Sequence, residues 1–337
     1  MKKYLGNTTT EILKNYFYDA KNFKIKKLND NALLIAHKSN NFVLKKYPLE
    51  INNKKLNRTR INFLGKIQTF VSKNLSIKPK LIFTLKNETS VAYDHHLYQL
   101  IEYVSNYPPN PRLIKNKELF YNYIGSFLGK LHASLKEYSK LHSQENSPES
   151  ILKFNRKGIR ELYDLLKKYE KNNIGNEWKL LLIKKIEIAK QFCNQVEDFR
   201  VLPKQIVHGD FWIQNILFDK NQKIIGLIDY AQGGIFYKSY ELIRSALSLD
   251  RFFKLKKINP RYLRAYIKGY SKYSKIKRKE LQLAIDMYIF IQATNSFCVD
   301  IDTLKNKDKK LIDYGKYRFN KLVELYAARN YLKREVL

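Results

Sequence analysis

The sequence predicts an α+β protein of two lobes, a small one built on an antiparallel sheet and a larger, mostly helical one. Three observations carry this. Short apolar and alternating runs fill most of the first 104 residues, helical periodicities dominate after Asn106-Tyr107-Pro108-Pro109-Asn110-Pro111, and one island of β pattern interrupts the helices at 205–229. The chain of 337 residues is 44% hydrophobic, enough to fill two cores. The expected boundary gives an N-lobe of 1–104, carrying a nucleotide-binding sheet and helix, and a C-lobe of 105–337.

Taken in order, Thr8-Thr9-Thr10-Glu11 offers a cap before an apolar-periodic stretch that runs to Ala20. Residues 31–37 and 42–47 read as a hairpin around the polar turn Lys38-Ser39-Asn40-Asn41. Ile61, Leu64, Ile67, Phe70 and Val71 recur at helical spacing and predict an amphipathic helix that stops before Lys78-Pro79. Strands follow at 81–83, 91–93 and 97–101, with His95-His96 in a hairpin turn rather than at a metal. Helices are expected at about 117–139, 150–172, 176–198 and 278–300.

The formal charge of +33 invites a polyanionic partner. The lysines, however, are spread among Asn, Ile and Tyr along the whole chain, which describes an evenly basic surface better than a nucleic-acid-binding stripe. Nucleic acid is therefore a disfavoured partner but not an excluded one. No run approaches the ~18 apolar residues of a membrane span, and no apolar segment follows Lys2-Lys3, so a cytoplasmic protein, monomeric or homodimeric, is expected. Cys193 and Cys298 read as two buried, reduced thiols.

The chemistry concentrates in "IVHGDFWIQN", 206–215, and the hairpin after it. Ile216-Leu217-Phe218 and Lys223-Ile224-Ile225-Gly226-Leu227-Ile228 flank the turn Asp219-Lys220-Asn221-Gln222. Asn215 precedes the first strand and Asp229 follows the second, so antiparallel pairing brings both to one open end, within reach of Asp210. An amide oxygen and a carboxylate are hard ligands suited to Mg²⁺ that arrives with phosphate oxygens. A further carboxylate beside them can orient a hydroxyl and accept its proton, which describes a phosphoryl-transfer site.

On these residues the chain resembles the aminoglycoside phosphotransferase and choline kinase family, small-molecule kinases of the protein-kinase-like fold. "HGDFWIQNILF" and "IIGLIDYAQGG" are similar to the family's catalytic loop and metal-binding strand end, "YIGSFLGKLHASL" (123–135) to the helix before them, and "YELIRSAL" (240–247) to the helix after. The resemblance implies Asp210 as catalytic base, Asn215 and Asp229 as Mg²⁺ ligands, and His208 as a brace of the loop. It implies ATP as donor, with Lys45 of "FVLKKY" on its phosphates, Lys46 as the fallback, and Gln99, Ile101 and Tyr103 in the hinge whose backbone pairs with adenine. Alternation places Lys45 on the same strand face as Val43. Two departures stand out: Leu28-Asn29-Asp30-Asn31 replaces a glycine-rich loop, and the helix at about 55–74 has no glutamate for Lys45, Gln68 being the nearest polar substitute.

Trp212 stands where a protein-serine kinase carries lysine, and only 230–236 separate Asp229 from the next helix, too short to dock a peptide. A small hydroxylated metabolite is the expected acceptor: an amino acid such as homoserine, a sugar, an amino alcohol or an aminoglycoside. Trp212, Asn295, Asp300 and Asp302 are the candidate acceptor contacts. The alternative is a weak or inactive kinase-like protein that binds anions or nucleic acid through its basic surface.

Overall fold

The computed structural model describes residues 2–19, 22–48, 50–51, 54–55, 58–142, 147–150 and 157–335. Helix α1 (Lys2–Leu13) leads to strands β1 (Lys24–Asn29), β2 (Ala32–His37) and β3 (Asn40–Pro48) and a minimal hairpin, β4 (Glu50–Ile51) and β5 (Lys54–Lys55). Helix α2 (Arg58–Asn74) and strands β6 (Leu81–Ile82), β7 (Val91–Tyr93) and β8 (His96–Glu102) come next. Helices α3 (Lys117–Leu141), α4 (Gly158–Lys171), α5 (Asn176–Lys190) and α6 (Val196–Arg200) precede β9 (Lys204–Val207), β10 (Ile216–Phe218), β11 (Ile224–Leu227) and β12 (Gly234–Tyr237). Helices α7 (Lys238–Phe252), α8 (Pro260–Ser271), α9 (Arg278–Thr294), α10 (Ile301–Lys305) and α11 (Lys309–Glu335) follow.

Contacts gather these elements into two units that do not follow the boundary at 104. One holds 1–115, 130–152 and 205–236; the other holds 116–129, 153–204 and 237–337. The reason lies in backbone hydrogen bonds. Lys78 N–H donates to Ile225 O and Leu227 N–H to Lys78 O, on one side of the β10–β11 hairpin. On the other side Tyr107 N–H donates to Phe218 O. The β10–β11 hairpin is thereby stitched to the residues flanking the N-terminal sheet.

In the first unit the sheet runs β1-β2-β3-β8-β6, with β7 also paired to β8 and every pairing antiparallel. Asp94 and His95, at φ 44° and 56°, form the two-residue turn between β7 and β8, and the side chain of His96 bonds Asp94 O. Ile35, Leu44, Val91 and Leu100 face Ile12, Leu13 and Tyr16, which closes one core. Each such aliphatic side chain contributes roughly 1.5–3 kcal/mol by leaving water. Because α1 begins at Lys2, the Thr8–Thr10 run lies inside the helix and does not cap it, and the chain leaves the helix at Leu13 rather than Ala20. The hydrophobic demand of the sheet for Ile12 and Leu13 outweighs the capping preference of threonine.

In the second unit α3 and α8 approach closely: a Cβ on Gly125 or Gly129 would collide with the carbonyl oxygens of Tyr266 and Tyr270. Leu162, Tyr169, Leu182, Ile186 and Leu304 form a further core. The helix expected at 150–172 is described only from Gly158, residues 151–156 lying outside the described set. The one expected at 176–198 breaks after Lys190 into a 3-10 turn and α6, and the one at 278–300 ends at Thr294. Cys298 is buried as expected, but Cys193, at the 3-10 break, is exposed; both are free thiols.

Asp250 of α7 is 4% exposed and accepts the Tyr121 hydroxyl at 2.6 Å. Burial, only partly offset by that bond and by Lys321, pushes its carboxyl up from 3.8 to about 6. The folded chain thus holds this proton more tightly than the unfolded chain. Stability is expected to fall as pH rises from about 4 to about 6 and to stay lowered above that, by on the order of 2–3 kcal/mol. Asp250→Asn should flatten that segment of the Tm–pH curve and raise Tm at pH 7; a curve parallel to wild type would dismiss Asp250 as its source.

Candidate active site

Strand β3 carries Lys45 opposite Gln99 of β8. Its Nζ lies 2.6 Å from Asp229 Oδ1 and 5.1 Å from the ring centre of Tyr47, two residues along the same strand face. Burial works against the Lys45 ammonium, but Tyr47 and Asp229 outweigh it and raise its pKa. Burial likewise opposes the Asp229 carboxylate, yet Lys45 first, and then the Ala231 backbone N–H, hold it below the usual carboxylate value. Both groups are therefore charged around neutrality. Asp229 sits at φ 68°, ψ 58°, the left-handed region. Aspartate is one of the few residues besides glycine that takes this conformation readily, and here it turns the chain sharply at the end of β11.

The loop between β9 and β10 supplies the other groups. Asn215 is 7% exposed, and its Nδ2 donates to Asp210 O at 2.8 Å and Asp210 Oδ2 at 3.2 Å. With the amide nitrogen so engaged, Oδ1 is the atom left to face a ligand. The Ile228 N–H donates to Asn215 O at 2.9 Å, which locks Asn215 beside the strand end that leads to Asp229. His208 is fully buried. Its Nδ1 accepts the Asp210 N–H at 3.2 Å and its Nε2 bonds Ile228 O at 3.0 Å, so the ring is neutral with its proton on Nε2. One imidazole ties the Asp210 loop to the Asp229 strand.

Gly209 makes that loop's turn at φ +81°, where a Cβ would also run into Gln232 O. Gly209→Ala is expected to cost about 2–4 kcal/mol, from backbone strain plus the collision. Thermal unfolding checks this; a Tm within a degree of wild type would contradict it.

Two features escaped sequence reasoning. Arg60 of α2 donates to Glu149 O at 2.6 Å and also to Gly233 O, four residues beyond Asp229. It thereby anchors the helix to the segment after Asp229. A buried arginine in "RTRINFLGK" was the only signal. Tyr47 was visible as the residue two positions beyond Lys45 on one strand face. Gln68 does not serve Lys45: its Nε2 donates to Pro79 O at 3.4 Å, and Lys45 turns to Asp229 directly.

In the segment expected as the hinge, which lies wholly inside the first unit, Gln99 is buried and its Nε2 donates to Ile61 O at 3.4 Å, while Ile101 pairs with Val43 and Leu81 on its two sides. The Glu102 and Tyr103 N–H groups donate to Lys80 O and Asn41 O. Where the family resemblance expects a glycine-rich loop, β1 and β2 join through Asp30-Asn31, with the Asn31 N–H on Asn29 Oδ1. Trp212 is half-buried with its indole nitrogen enclosed and without a hydrogen-bond partner among the described residues. In the second unit, Asn295 Oδ1 accepts the Phe297 N–H, Asp300 caps α10 through Thr303, and Asp302 is exposed in the first turn of that helix.

Among the described residues no three His, Cys, Asp or Glu side chains cluster as a metal cage. The donors here are one amide oxygen and one carboxylate, which fit a hard cation only when phosphate oxygens and water complete its shell.

A model of the phosphotransferase enzyme family matches residues 27–276. No curated protein matches the chain in sequence. Among solved structures, an amicoumacin kinase in complex with AMP-PNP, Ca²⁺ and Ami is 13% identical, with a TM-score of 0.60 over 95% of this chain and 96% of that one. A spectinomycin phosphotransferase with ADP and spectinomycin is 14% identical, with a TM-score of 0.58 over 96% and 98%. The Plasmodium vivax ethanolamine kinase is also 14% identical, with a TM-score of 0.58 over 98% and 91%. At these identities the likeness speaks to the fold, which is protein-kinase-like.

Proposed function

The chain belongs to the phosphotransferase enzyme family, and from that premise we propose that it transfers the γ-phosphoryl group of ATP, with Mg²⁺, to a hydroxyl of a small metabolite. The observation that carries the reading is the ion pair of Lys45 with Asp229, at 2.6 Å, beside a loop in which Asn215 orients Asp210.

In this reading Asp210 positions the acceptor hydroxyl and takes its proton as the bond to phosphorus forms. Phosphoryl transfer passes through a loose transition state, so most of the acceleration comes from placement and charge rather than from strong base catalysis. Asn215 holds the Asp210 carboxylate by a hydrogen bond, and His208 keeps its backbone in register with the Asp229 strand. Asn215 Oδ1 and the Asp229 carboxylate would hold Mg²⁺, which when bound neutralises phosphate charge. Lys45 supplies the remaining cation, placed by Asp229 and Tyr47 in the absence of a helix glutamate. For adenine, Val104 and Ser105 follow the last sheet-committed N–H groups and are the nearest open backbone, with Gln99, Ile101 and Tyr103 shaping the wall.

The segment after Asp229 supports a small acceptor. It makes one 3-10 turn (Tyr230–Gln232), strand β12 and then enters α7 at Lys238, leaving no extended platform for a peptide. The acceptor class is an amino acid such as homoserine, a sugar, an amino alcohol or an aminoglycoside. Trp212, two residues beyond Asp210 and half-buried, would form an apolar wall of that molecule's pocket. Incubating the protein with Mg²⁺, [γ-³²P]ATP and such a panel should label one hydroxylated class; labelling of none, with ATP bound, would reject the reading.

A further inference from the structure

Arg60 of α2 is 8% exposed, where a guanidinium is stable only when it is hydrogen-bonded. Its two terminal nitrogens donate to carbonyls of two separate segments, one to Glu149 O at 2.6 Å and the other to Gly233 O. Those segments are themselves joined. Ser150 Oγ donates to Gln232 O at 2.6 Å, the Ser150 N–H to Ile235 O at 3.0 Å and the Ile235 N–H to Pro148 O at 2.9 Å. Residues 232–235 are thereby held from two sides, all of it within the first unit.

What these bonds hold is the exit from Asp229. The 3-10 turn Tyr230–Gln232 closes on itself, the Gly233 N–H donating to Tyr230 O at 2.8 Å, so it passes a displacement of Gly233 back to Asp229 rather than absorbing it. The same turn abuts the other loop, since the space that a Cβ on Gly209 would need is taken by Gln232 O. Moving 232–233 therefore moves Asp229 relative to Asp210. Helix α2 carries no acidic residue that could fix Lys45. Arg60 gives the helix a different hold, on the backbone beyond Asp229.

We propose that Arg60 is a positioning residue: by bridging Glu149 O and Gly233 O it keeps the Asp229 carboxylate in register with Asp210 and Asn215 for binding Mg²⁺ with ATP. The inference rests on the phosphotransferase reading above. A planar fork suits the task, because its N–H groups reach two acceptors in fixed directions, whereas a lysine ammonium is a point donor on a flexible stem. Placement matters steeply at such a site, a shift of about 1 Å costing on the order of 10²-fold.

The test is equilibrium binding of a fluorescent ATP analogue to the full chain across a Mg²⁺ titration, well below the lowest Tm, so that loss of stability alone does not enter. Arg60→Lys should raise the half-saturating Mg²⁺ concentration about 10-fold. Ser150→Ala, which removes one hold on Gln232 and leaves Arg60 in place, should raise it by a smaller factor, about threefold. Arg58→Gln, on the same helix, breaks the exposed pair with Glu88 and should leave the Mg²⁺ dependence as it is. Wild-type half-saturation in Arg60→Lys, or in Ser150→Ala where Arg60→Lys does not fold, would overturn the proposal and leave the phosphotransferase reading standing. So would an equal increase in Arg58→Gln, since Arg60 would then act only through the stability of α2. A wild type without Mg²⁺-dependent binding would sink the phosphotransferase reading itself, and this inference with it.

Discussion

Asp210→Asn is expected to lower kcat on the order of 10³-fold while the KM for ATP changes little. The substitution keeps shape and keeps an oxygen for the Asn215 amide, now at 3.2 Å from Asp210 Oδ2. What disappears is the anionic acceptor for the hydroxyl proton, a contribution usually worth about 10²–10⁴ in rate. A fall in kcat and kcat/KM together would mark an interaction made in the transition state. Steady-state kinetics with the hydroxylated acceptor, alongside thermal unfolding to show an intact fold, provide the measurement. A kcat within twofold of wild type would remove Asp210 from proton transfer.

Asp229→Asn should be at least as damaging, on the order of 10³-fold or more, and for a different reason. Asparagine tolerates the left-handed conformation at φ 68°, so the strand end keeps its path. The charge, however, leaves both Lys45 and the divalent cation without their anionic partner. The Tm rise that Mg²⁺ and ATP give the wild type should therefore shrink or vanish in the variant; its persistence together with full kcat would dismiss Asp229 as a ligand. Because burial is outweighed by Lys45, the Asp229 carboxyl titrates below 3.8; because burial is outweighed by Tyr47 and Asp229, the Lys45 ammonium titrates above 10.5. The stability from the pair is thus present above about pH 4, lost as pH falls further, and lost at the other end only above about pH 10. A site that loses ATP binding between pH 6 and 9 would owe that to another group.

The loop proposed for catalysis was legible because its information is local. His208-Gly209-Asp210, Asn215 and the hairpin to Asp229 lie within 22 consecutive residues, and a β-hairpin dictates which ends meet. The hairpin at the start of the sheet was legible for the same reason: 31–37 and 42–47 are short runs around a polar turn, and β2 and β3 follow them closely, whereas β1 (Lys24–Asn29) was not foreseen. Helix ends were less legible. Asn295 sits where α9 has already stopped, and the Thr8–Thr10 run lies inside α1, because packing partners far along the chain decided both.

Short-range pattern thus pointed to the fold class and, through 206–229, to the family, since turns, alternation and hairpin closure are local matters. Folding in three dimensions settled what local windows cannot hold. It chose Asp229 rather than Gln68 as the partner of Lys45, across 184 positions of sequence. It set Arg60 on Gly233 and stitched the β10–β11 hairpin to Lys78 and Tyr107. It also buried Lys185 against the backbone oxygen of Gln292, 107 residues away. Ion pairs and buried charges depend on which surfaces meet, and that is fixed only when the whole chain has packed.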